Sequence, residues 1–194
     1  MKTLVFATHN PNKLKEIQAM MPTSIELKSL TDIGCDEEII EDADTLEGNA
    51  LIKSRHVKEK YGYDCFADDT GLEVEALNCD PGVYSARYAG EQKNAEDNMQ
   101  KLLENLNGKY NRAAQFRTVI AFSVGDKEYT FNGICKGAIT TEKCGEKGFG
   151  YDPIFKPEGE KRTFAEMPME EKAVMSHRGK AFRTFIDFVK KSNL

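Results

Sequence analysis

Two adjacent aspartates, Asp68 and Asp69, follow a short apolar segment that is typical of a buried strand. Neighbouring carboxylates repel each other unless a cation or a proton separates them, and oxygen ligands of this kind suit Mg²⁺. Side chains adjacent in a strand point to opposite faces, so both aspartates can share one ion only if the chain bends at residues 70–71. Otherwise only one binds the ion directly. Glu41, from the acidic stretch 36–44, is a further candidate ligand, and an acidic turn without a ligand is the alternative interpretation.

The segment from Thr8 to Lys13 places a predicted strand directly before a predicted helix, with Asn10 and Pro11 suited to the N-cap and the first helical position. The N–H groups and the positive dipole end of such a helix can bind an anion. Thr8 and Asn10 add hydrogen-bonding side chains, and Lys13 adds a positive charge. The alternative is an ordinary capped helix with a solvated lysine.

Lys53 lies on a helix predicted from Thr45 to about Tyr61. At 100° per residue, it shares one stripe of that helix with Leu46 and Val57. Because lysine is seldom buried, its ammonium must either extend to water or meet an anion. Asn49 lies on the same stripe.

Phe149 lies between two glycines in the segment 148–153, where the backbone suits a close approach and the ring can stack on a planar ligand. A hydrophobic turn anchor is the alternative. His177 and Arg178 lie in the first turn of the last predicted helix, where the dipole disfavours cations. We therefore expect a ligand acceptor or a buried carboxylate close to them, and we group Lys172 with this set.

These residues must be positioned by alternating strands and helices. Residues 113–124 and 128–139 alternate in polarity and are joined through Gly125 and Asp126, which is a hairpin signal. The mixture of strands, crossover helices and one long hairpin indicates an α/β fold with a mixed sheet. Hydrophobic periodicity predicts strands at 4–7, 25–30, 65–67 and 72–77, and helices at 11–21, 45–61, 94–106 and after Ser176.

Composition excludes several classes of protein. With 194 residues, 40% hydrophobic and 30% charged, the chain is typical of one compact domain, 1–194, with two lobes. The net charge of -5 disfavours a nucleic-acid partner, because such proteins usually carry a basic excess. The 5 cysteines contain no C-x-x-C pair, which favours reduced thiols in the cytoplasm. The N-terminal apolar run, 4–7, is too short for a signal peptide or a membrane span.

Taken in order along nearly the whole chain, the motifs resemble the inosine triphosphate pyrophosphatase family, whose bacterial members are dITP/XTP pyrophosphatases. Each motif alone is weak, whereas their common register is a specific signal. The matching segments are Thr8 to Lys13, Asn49-Ala50 with Lys53, Ala67 to Leu72, Pro81 to Tyr88, Gly148 to Pro153, and Ser176 to Gly179.

The resemblance implies an α/β fold of two lobes, with a mixed sheet flanked by helices and an active cleft between the lobes, and it implies a homodimer. It also implies Mg²⁺-dependent hydrolysis of ITP, dITP and XTP to the nucleoside monophosphate and pyrophosphate. By position, Asp69 is the implied catalytic base with Asp68 beside it, and Glu41 and Asp69 are the implied metal ligands.

The same resemblance assigns a triphosphate-binding set, a nucleotide and base pocket, and Thr70 as a further substrate contact. Position 70 is Thr where many relatives carry Ser, which keeps the hydroxyl. The implied substrate-binding residues are Thr8, His9, Asn10, Asn12, Lys13, Lys53, Thr70, Phe149, Gly150, Tyr151, Asp152, Lys172, His177 and Arg178.

The sequence contains no P-loop, and no nucleophile with a partner base is evident, so direct attack by water is expected rather than a covalent intermediate. Donors from His177 or Arg178 facing a 6-oxo group would reject adenine. Two alternatives remain at this point: a pyrophosphatase for other modified nucleotides, and a sensor that binds a nucleotide without turnover. The three carboxylates argue against the sensor, since a pure anion binder would avoid them.

Overall fold

The structure, a computed structural model, describes residues 1–192, apart from the side chain of Asn12. The chain divides into two compact units. Unit 1 consists of Met1–Asp69, Val119–Asn132 and the chain from Ala181 onward, and unit 2 consists of Thr70–Thr118 and Gly133–Lys180. That residues 1–194 form a single domain stays a prediction.

Within the described residues, seven strands form one mixed sheet in the order β2-β1-β3-β5-β6-β7, with β4 paired to β3. β1 is parallel to both β2 and β3, whereas β4 is antiparallel to β3 and β7 to β6. The mixed α/β class expected from the sequence is confirmed. The strands are β1 Lys2–Phe6, β2 Ile25–Lys28, β3 Cys65–Val74, β4 Pro81–Gly82, β5 Ala113–Val124, β6 Lys127–Ile139 and β7 Phe155–Pro157.

Capping residues mark where helix α2 begins and ends. The Thr45 hydroxyl accepts a hydrogen bond from the Gly48 N–H at 3.0 Å, and Gly62 ends that helix in the left-handed conformation at φ 75°. Within residues 1–192, no helix is long and apolar enough to cross a membrane. The α-helices are α1 Pro11–Met20, α2 Leu46–Tyr61, α3 Ala95–Asn105, α4 Met169–Met175 and α5 His177–Lys191.

Unit 1 has an aromatic core built on its parallel strands. The rings of Phe6 on β1 and Phe66 on β3 stack with centroids 4.6 Å apart, and Phe185 of α5 packs against Phe66 at 4.7 Å. All three side chains are fully buried. Because each ring buries a large apolar area, this packing fixes the end of β1, which Thr8 follows, and the first half of β3, which contains Asp68.

Unit 2 has its own aromatic core. Phe116 of β5 packs edge-on against Phe155 of β7 at 4.6 Å, and Phe164 contacts both rings. Phe155 and Phe164 are fully buried. This core supports the turn that carries Phe149.

The predicted break between two strands at residues 68–71 is wrong. β3 runs without interruption through Asp68, Asp69, Thr70 and Gly71 to Val74. Aspartate and glycine are poor strand residues by themselves, but here tertiary contacts to lysines and to a threonine hydroxyl outweigh local propensity. The two aspartates therefore stand next to each other in an extended strand.

Candidate active site

A cluster of carboxylates and lysines lies in unit 1, and we call it the carboxylate–lysine cluster: Lys13, Glu41, Lys53, Asp68 and Asp69. The Lys53 ammonium lies 2.8 Å from Glu41 Oε2, donates to the Asp68 carbonyl oxygen at 2.8 Å and lies 3.9 Å from Asp69 Oδ1. Its side chain is only 13% exposed. The Lys53 ammonium therefore contacts carboxylates and does not extend to water, which is the second of the two interpretations of this lysine.

Lys13 contacts the other aspartate. Its ammonium lies 3.4 Å from both oxygens of Asp68, whose side chain is 6% exposed. The carboxylates of Asp68 and Asp69 therefore contact different lysines, as expected for neighbours in a continuous strand. The arrangement that would let both carboxylates bind one ion, a bend after Asp69, does not occur.

Glu41 is positioned through the acidic segment that precedes α2. Asn49 of α2 is 2% exposed, and its Oδ1 accepts a hydrogen bond from the Ala43 N–H at 3.0 Å. This bond ties the segment to the helix that carries Lys53. Asn49, on the core-facing stripe of the sequence, thus positions the segment that carries Glu41.

A divalent cation fits part of this cluster. Glu41 and Asp69 both approach the same positive charge on Lys53, and their donor atoms are all oxygen, which suits Mg²⁺. Among residues 1–192, however, oxygens of Glu41, Asp68 and Asp69 do not form a group of three within 4.8 Å of one another. The two carboxylates that approach the Lys53 ammonium are Glu41 and Asp69, whereas the Asp68 carboxylate lies against Lys13.

The segment before α1 has the geometry of a helix N-terminus. The Asn10 side chain accepts a hydrogen bond from the Lys13 N–H at 3.3 Å, and the Thr8 hydroxyl accepts one from the Asn10 N–H at 3.1 Å. His9 is exposed, with Nδ1 3.1 Å from the Thr31 hydroxyl. Asn12 lies in α1, and its side chain is outside the described part of the chain. These contacts give the exposed loop a defined shape.

A second set of predicted residues meets in unit 2, and we call it the Phe149 turn: Gly148, Phe149, Gly150 and Asp152, with Lys172 and Arg178. Phe149 is 70% exposed. The Lys172 ammonium lies 5.0 Å from its ring centroid and the Arg178 guanidinium carbon 5.9 Å. An exposed ring with two cations near its face is suited to stacking on a planar ligand that carries acceptors. The structure thus disfavours a buried hydrophobic anchor.

Asp152 holds the Phe149 turn in place through hydrogen bonds to its carboxylate. Its Oδ2 accepts hydrogen bonds from the Phe149 N–H at 2.8 Å and from the Lys172 ammonium at 2.5 Å. Gly148 has φ 80°, and a Cβ atom there would lie 2.1 Å from the same oxygen. Gly150 is also left-handed, at φ 61°. Only glycine at 148 allows Asp152 to approach this closely.

His177 and Arg178 begin α5, as expected. The His177 imidazole is 8% exposed and stacks on the Phe116 ring at 4.6 Å. The hydroxyl of Ser176 accepts a hydrogen bond from the Gly179 N–H at 3.1 Å, which confirms Ser176 as the cap. Sequence reasoning did not single out Phe116 as a support, although its place on the buried face of an alternating strand was a usable signal.

Two predicted substrate contacts have intramolecular partners. The Thr70 hydroxyl lies 2.7 Å from the Thr118 hydroxyl, and the Tyr151 hydroxyl donates to the Ser85 carbonyl oxygen at 2.8 Å. Tyr151 is 5% exposed. Burial raises the pKa of its phenol well above the ordinary range, so the phenol stays protonated. A direct role of either residue in substrate binding stays a prediction.

A groove of about 590 Å³ also lies in unit 2. None of the predicted site residues lines it. The candidate site is therefore defined by side-chain chemistry and not by this groove. Its lining comes from Glu73, Glu75, Cys79, 113–115, 136–138 and 156–160.

The model of the Ham1 family matches residues 4–188. This chain belongs to the Ham1 family. The dITP/XTP pyrophosphatase of Flavobacterium psychrophilum is 62% identical over 96% of this chain and 98% of its own. A Ham1 protein structure from Staphylococcus aureus superposes with a TM-score of 0.95, at 38% identity, over 98% of this chain and 100% of that one.

A further structural match is the nucleoside-triphosphatase, or dITP/XTP pyrophosphatase, of Mycobacterium abscessus, with a TM-score of 0.84 and 41% identity over 95% of this chain and 98% of that one. These matches confirm the family predicted from the motifs, and they confirm the fold class. All five cysteines of this Ham1-family chain are free thiols.

Proposed function

We propose that this Ham1-family chain hydrolyses the deaminated purine nucleoside triphosphates ITP, dITP and XTP to the monophosphate and pyrophosphate, with Mg²⁺. The observation that carries the proposal is the carboxylate–lysine cluster. Its two lysines, Lys13 and Lys53, can bind a polyanion. Its carboxylates can bind a cation and accept a proton. Two similar proteins from Flavobacterium species are named dITP/XTP pyrophosphatase, which supports the same substrate class.

Binding of the triphosphate is assigned to Lys13, Lys53 and the loop Thr8 to Asn12. Lysine ammonium groups and the N–H groups at the start of α1 supply positive charge to phosphate oxygens. Each lysine is at present paired with a carboxylate, so substrate binding exchanges carboxylate contacts for phosphate contacts. A chain of net charge -5 needs both the converging lysines and Mg²⁺ to bind a polyanion.

Glu41 and Asp69 are the residues that would hold Mg²⁺. The ion, when bound, neutralises negative charge on the phosphate oxygens. Asp69, which has one oxygen near Lys53, is the proposed general base. It accepts a proton from the water that attacks the α-phosphorus, while the bond from that phosphorus to the bridging oxygen breaks. Lys13 and Lys53 stabilise the charge that develops on the departing pyrophosphate.

The Phe149 turn is the proposed base-binding element. The Phe149 ring stacks on the purine, and donors from Lys172, His177 or Arg178 meet the 6-oxo group. A 6-amino group would place N–H groups against these donors and leave both sides unsatisfied. Sites built on hydrogen bonds reject such a mismatch by about 10⁴-fold. Discrimination against GTP does not follow from this argument, because guanine also carries a 6-oxo group.

A nucleotide panel tests the proposal. Pyrophosphate and orthophosphate release are measured with ITP, dITP, XTP, ATP and GTP, and with methylated and pyrimidine triphosphates, in Mg²⁺. We expect pyrophosphate from the first three and little from ATP. Faster hydrolysis of methylated or pyrimidine triphosphates would show that the enzyme acts on a different class of modified nucleotide. Tight binding of ITP without any product would indicate a sensor. His177→Ala is expected to reduce the ratio of the ITP rate to the ATP rate.

We further propose a cytoplasmic homodimer. The free thiols support a reducing compartment. The dimer is implied by family resemblance, and sedimentation equilibrium measures it directly. A monomer at micromolar concentration would contradict it.

A further inference from the structure

We propose that Cys35, Glu37 and His56 form a second metal site, which takes a zinc-class divalent ion and is separate from the carboxylate–lysine cluster. One ligand atom from each residue lies within 4.8 Å of the other two. All three residues belong to unit 1. None of them contributes to the proposed hydrolysis.

The three ligands are supplied by two structural elements. Cys35 follows a short 3₁₀ turn, Thr31–Ile33, that ends at Gly34 in the left-handed conformation, and the Cys35 N–H donates to the Leu30 carbonyl oxygen at 3.0 Å. His56 projects from α2, which also contributes Lys53 to the other cluster. The local backbone therefore holds the thiol in a fixed place beside the helix.

The donor types select the ion. Thiolate, imidazole and carboxylate form a mixed sulfur, nitrogen and oxygen set, which favours Zn²⁺ over the oxygen-preferring Mg²⁺. Zinc bond lengths require ligand atoms about 3.3–3.8 Å apart in a tetrahedral site, so the three groups need to move by only about 1 Å. Three protein ligands leave the fourth position for water.

Access and charge are also suitable. The Cys35 side chain is fully buried, whereas the side chains of Glu37 and His56 are 34% and 28% exposed, so an ion can enter from the Glu37 side. The Glu37 carboxylate already attracts three donors: Oε1 lies 2.6 Å from the Lys60 ammonium, 2.8 Å from His56 Nε2 and 2.9 Å from the Tyr61 hydroxyl. This is a carboxylate in surroundings that favour its charged form.

The protonation states agree with metal uptake. Hydrogen bonds from Lys60, then His56 and Tyr61, hold the pKa of Glu37 well below its usual range, so the carboxylate is charged at neutral pH. Burial raises the pKa of the Cys35 thiol, and binding of the ion would displace the thiol proton. The Lys60 side chain is 55% exposed and can extend into water when the ion replaces its ammonium.

The test uses the full chain, freed of metal by a chelator and titrated with Co²⁺. A thiolate ligand gives a sulfur-to-cobalt charge-transfer band in the near ultraviolet, which an all-oxygen site does not give. We expect the band to saturate at one equivalent and Zn²⁺ to abolish it. In Cys35→Ser the band should vanish. Cys135→Ser is the matched control, because it also replaces a buried thiol by a hydroxyl, and it should retain the band.

Two further variants test the site independently if Cys35→Ser does not fold. Glu37→Gln and His56→Gln keep the thiol, and each should weaken Zn²⁺ binding by more than about tenfold in competition with a chromophoric chelator. A band that is absent from the wild type, a band that persists in Cys35→Ser, or Zn²⁺ affinity unchanged in both Gln variants would overturn the proposal. Asp69→Asn should leave the band intact whether or not the hydrolytic function is correct.

Discussion

Lys172 and Asp152 form a largely buried ion pair, in which the ammonium nitrogen lies 2.5 Å from Asp152 Oδ2 and the side chains are 12% and 4% exposed. Asp152 also accepts the Phe149 N–H. The pair therefore sets the shape of the Phe149 turn and keeps a cation beside the exposed ring.

Asp152→Asn should destabilise the protein by about 3–5 kcal/mol, because it leaves the Lys172 charge buried without its carboxylate. Urea unfolding measures the change. The double variant Asp152→Asn/Lys172→Met should recover part of that loss, since the unpaired charge is gone. A single variant as stable as the wild type would contradict the assigned role of the pair.

Gly148→Ala should reduce stability more than Gly159→Ala. Both glycines have nearly the same left-handed backbone, at φ 80° and 81°, so both variants carry a similar strain of about 1–2 kcal/mol. Only at 148 does the added methyl meet the Asp152 carboxylate, whereas at 159 the space is open. Unfolding free energies and the KM for ITP measure the difference. Equal effects of the two variants would show that the Asp152 contact is unimportant.

Lys53→Met should lower kcat/KM by about 10²–10³-fold, because it removes a preorganised charge from the site of leaving-group stabilisation. Lys58→Met is the control on the same helix, since Lys58 contacts Asp64 at 2.9 Å outside the cluster. Its rate should stay close to that of the wild type. A Lys53→Met enzyme with an unchanged rate would mean that this ammonium serves only the structure.

The pair Arg55 and Glu128 should make stability depend on pH in the acidic range. Glu128 accepts two hydrogen bonds of 2.6 Å from Arg55, which lower the pKa of the carboxyl below its ordinary value. A lowered pKa means that the stabilisation is complete above the unfolded-state pKa and is lost as pH falls through the folded-state pKa. Glu128→Gln should therefore flatten the fall of unfolding free energy below pH about 4.5. An identical slope in both proteins would contradict this.

Local patterns predicted the elements with strong periodicity. The hairpin of β5 and β6, the helix capped by Thr45 and the helix that begins at Pro11 follow from alternation, capping and proline placement. The seven-residue helix α4 and the three-residue strand β7 were missed, because such short elements carry little periodicity and are held by packing.

Long-range contacts decided what local patterns could not. The strand through Asp68 and Asp69 is continuous because Lys13 and Lys53, distant in sequence, satisfy the aspartates. Likewise, Cys35 and His56 are 21 residues apart and match no metal-binding spacing, so only the fold brings them together. The sequence predicted which residues belong to the candidate site, but it did not predict which side chains contact each other.

The most direct test of the central claim compares the wild type with Asp69→Asn, using XTP in Mg²⁺ and measuring both pyrophosphate release and nucleotide binding. Because the amide cannot accept the proton from water, the variant should fold and bind XTP while pyrophosphate release falls by at least about 10²-fold. Release at the wild-type rate from Asp69→Asn would contradict the assignment of Asp69 as the base.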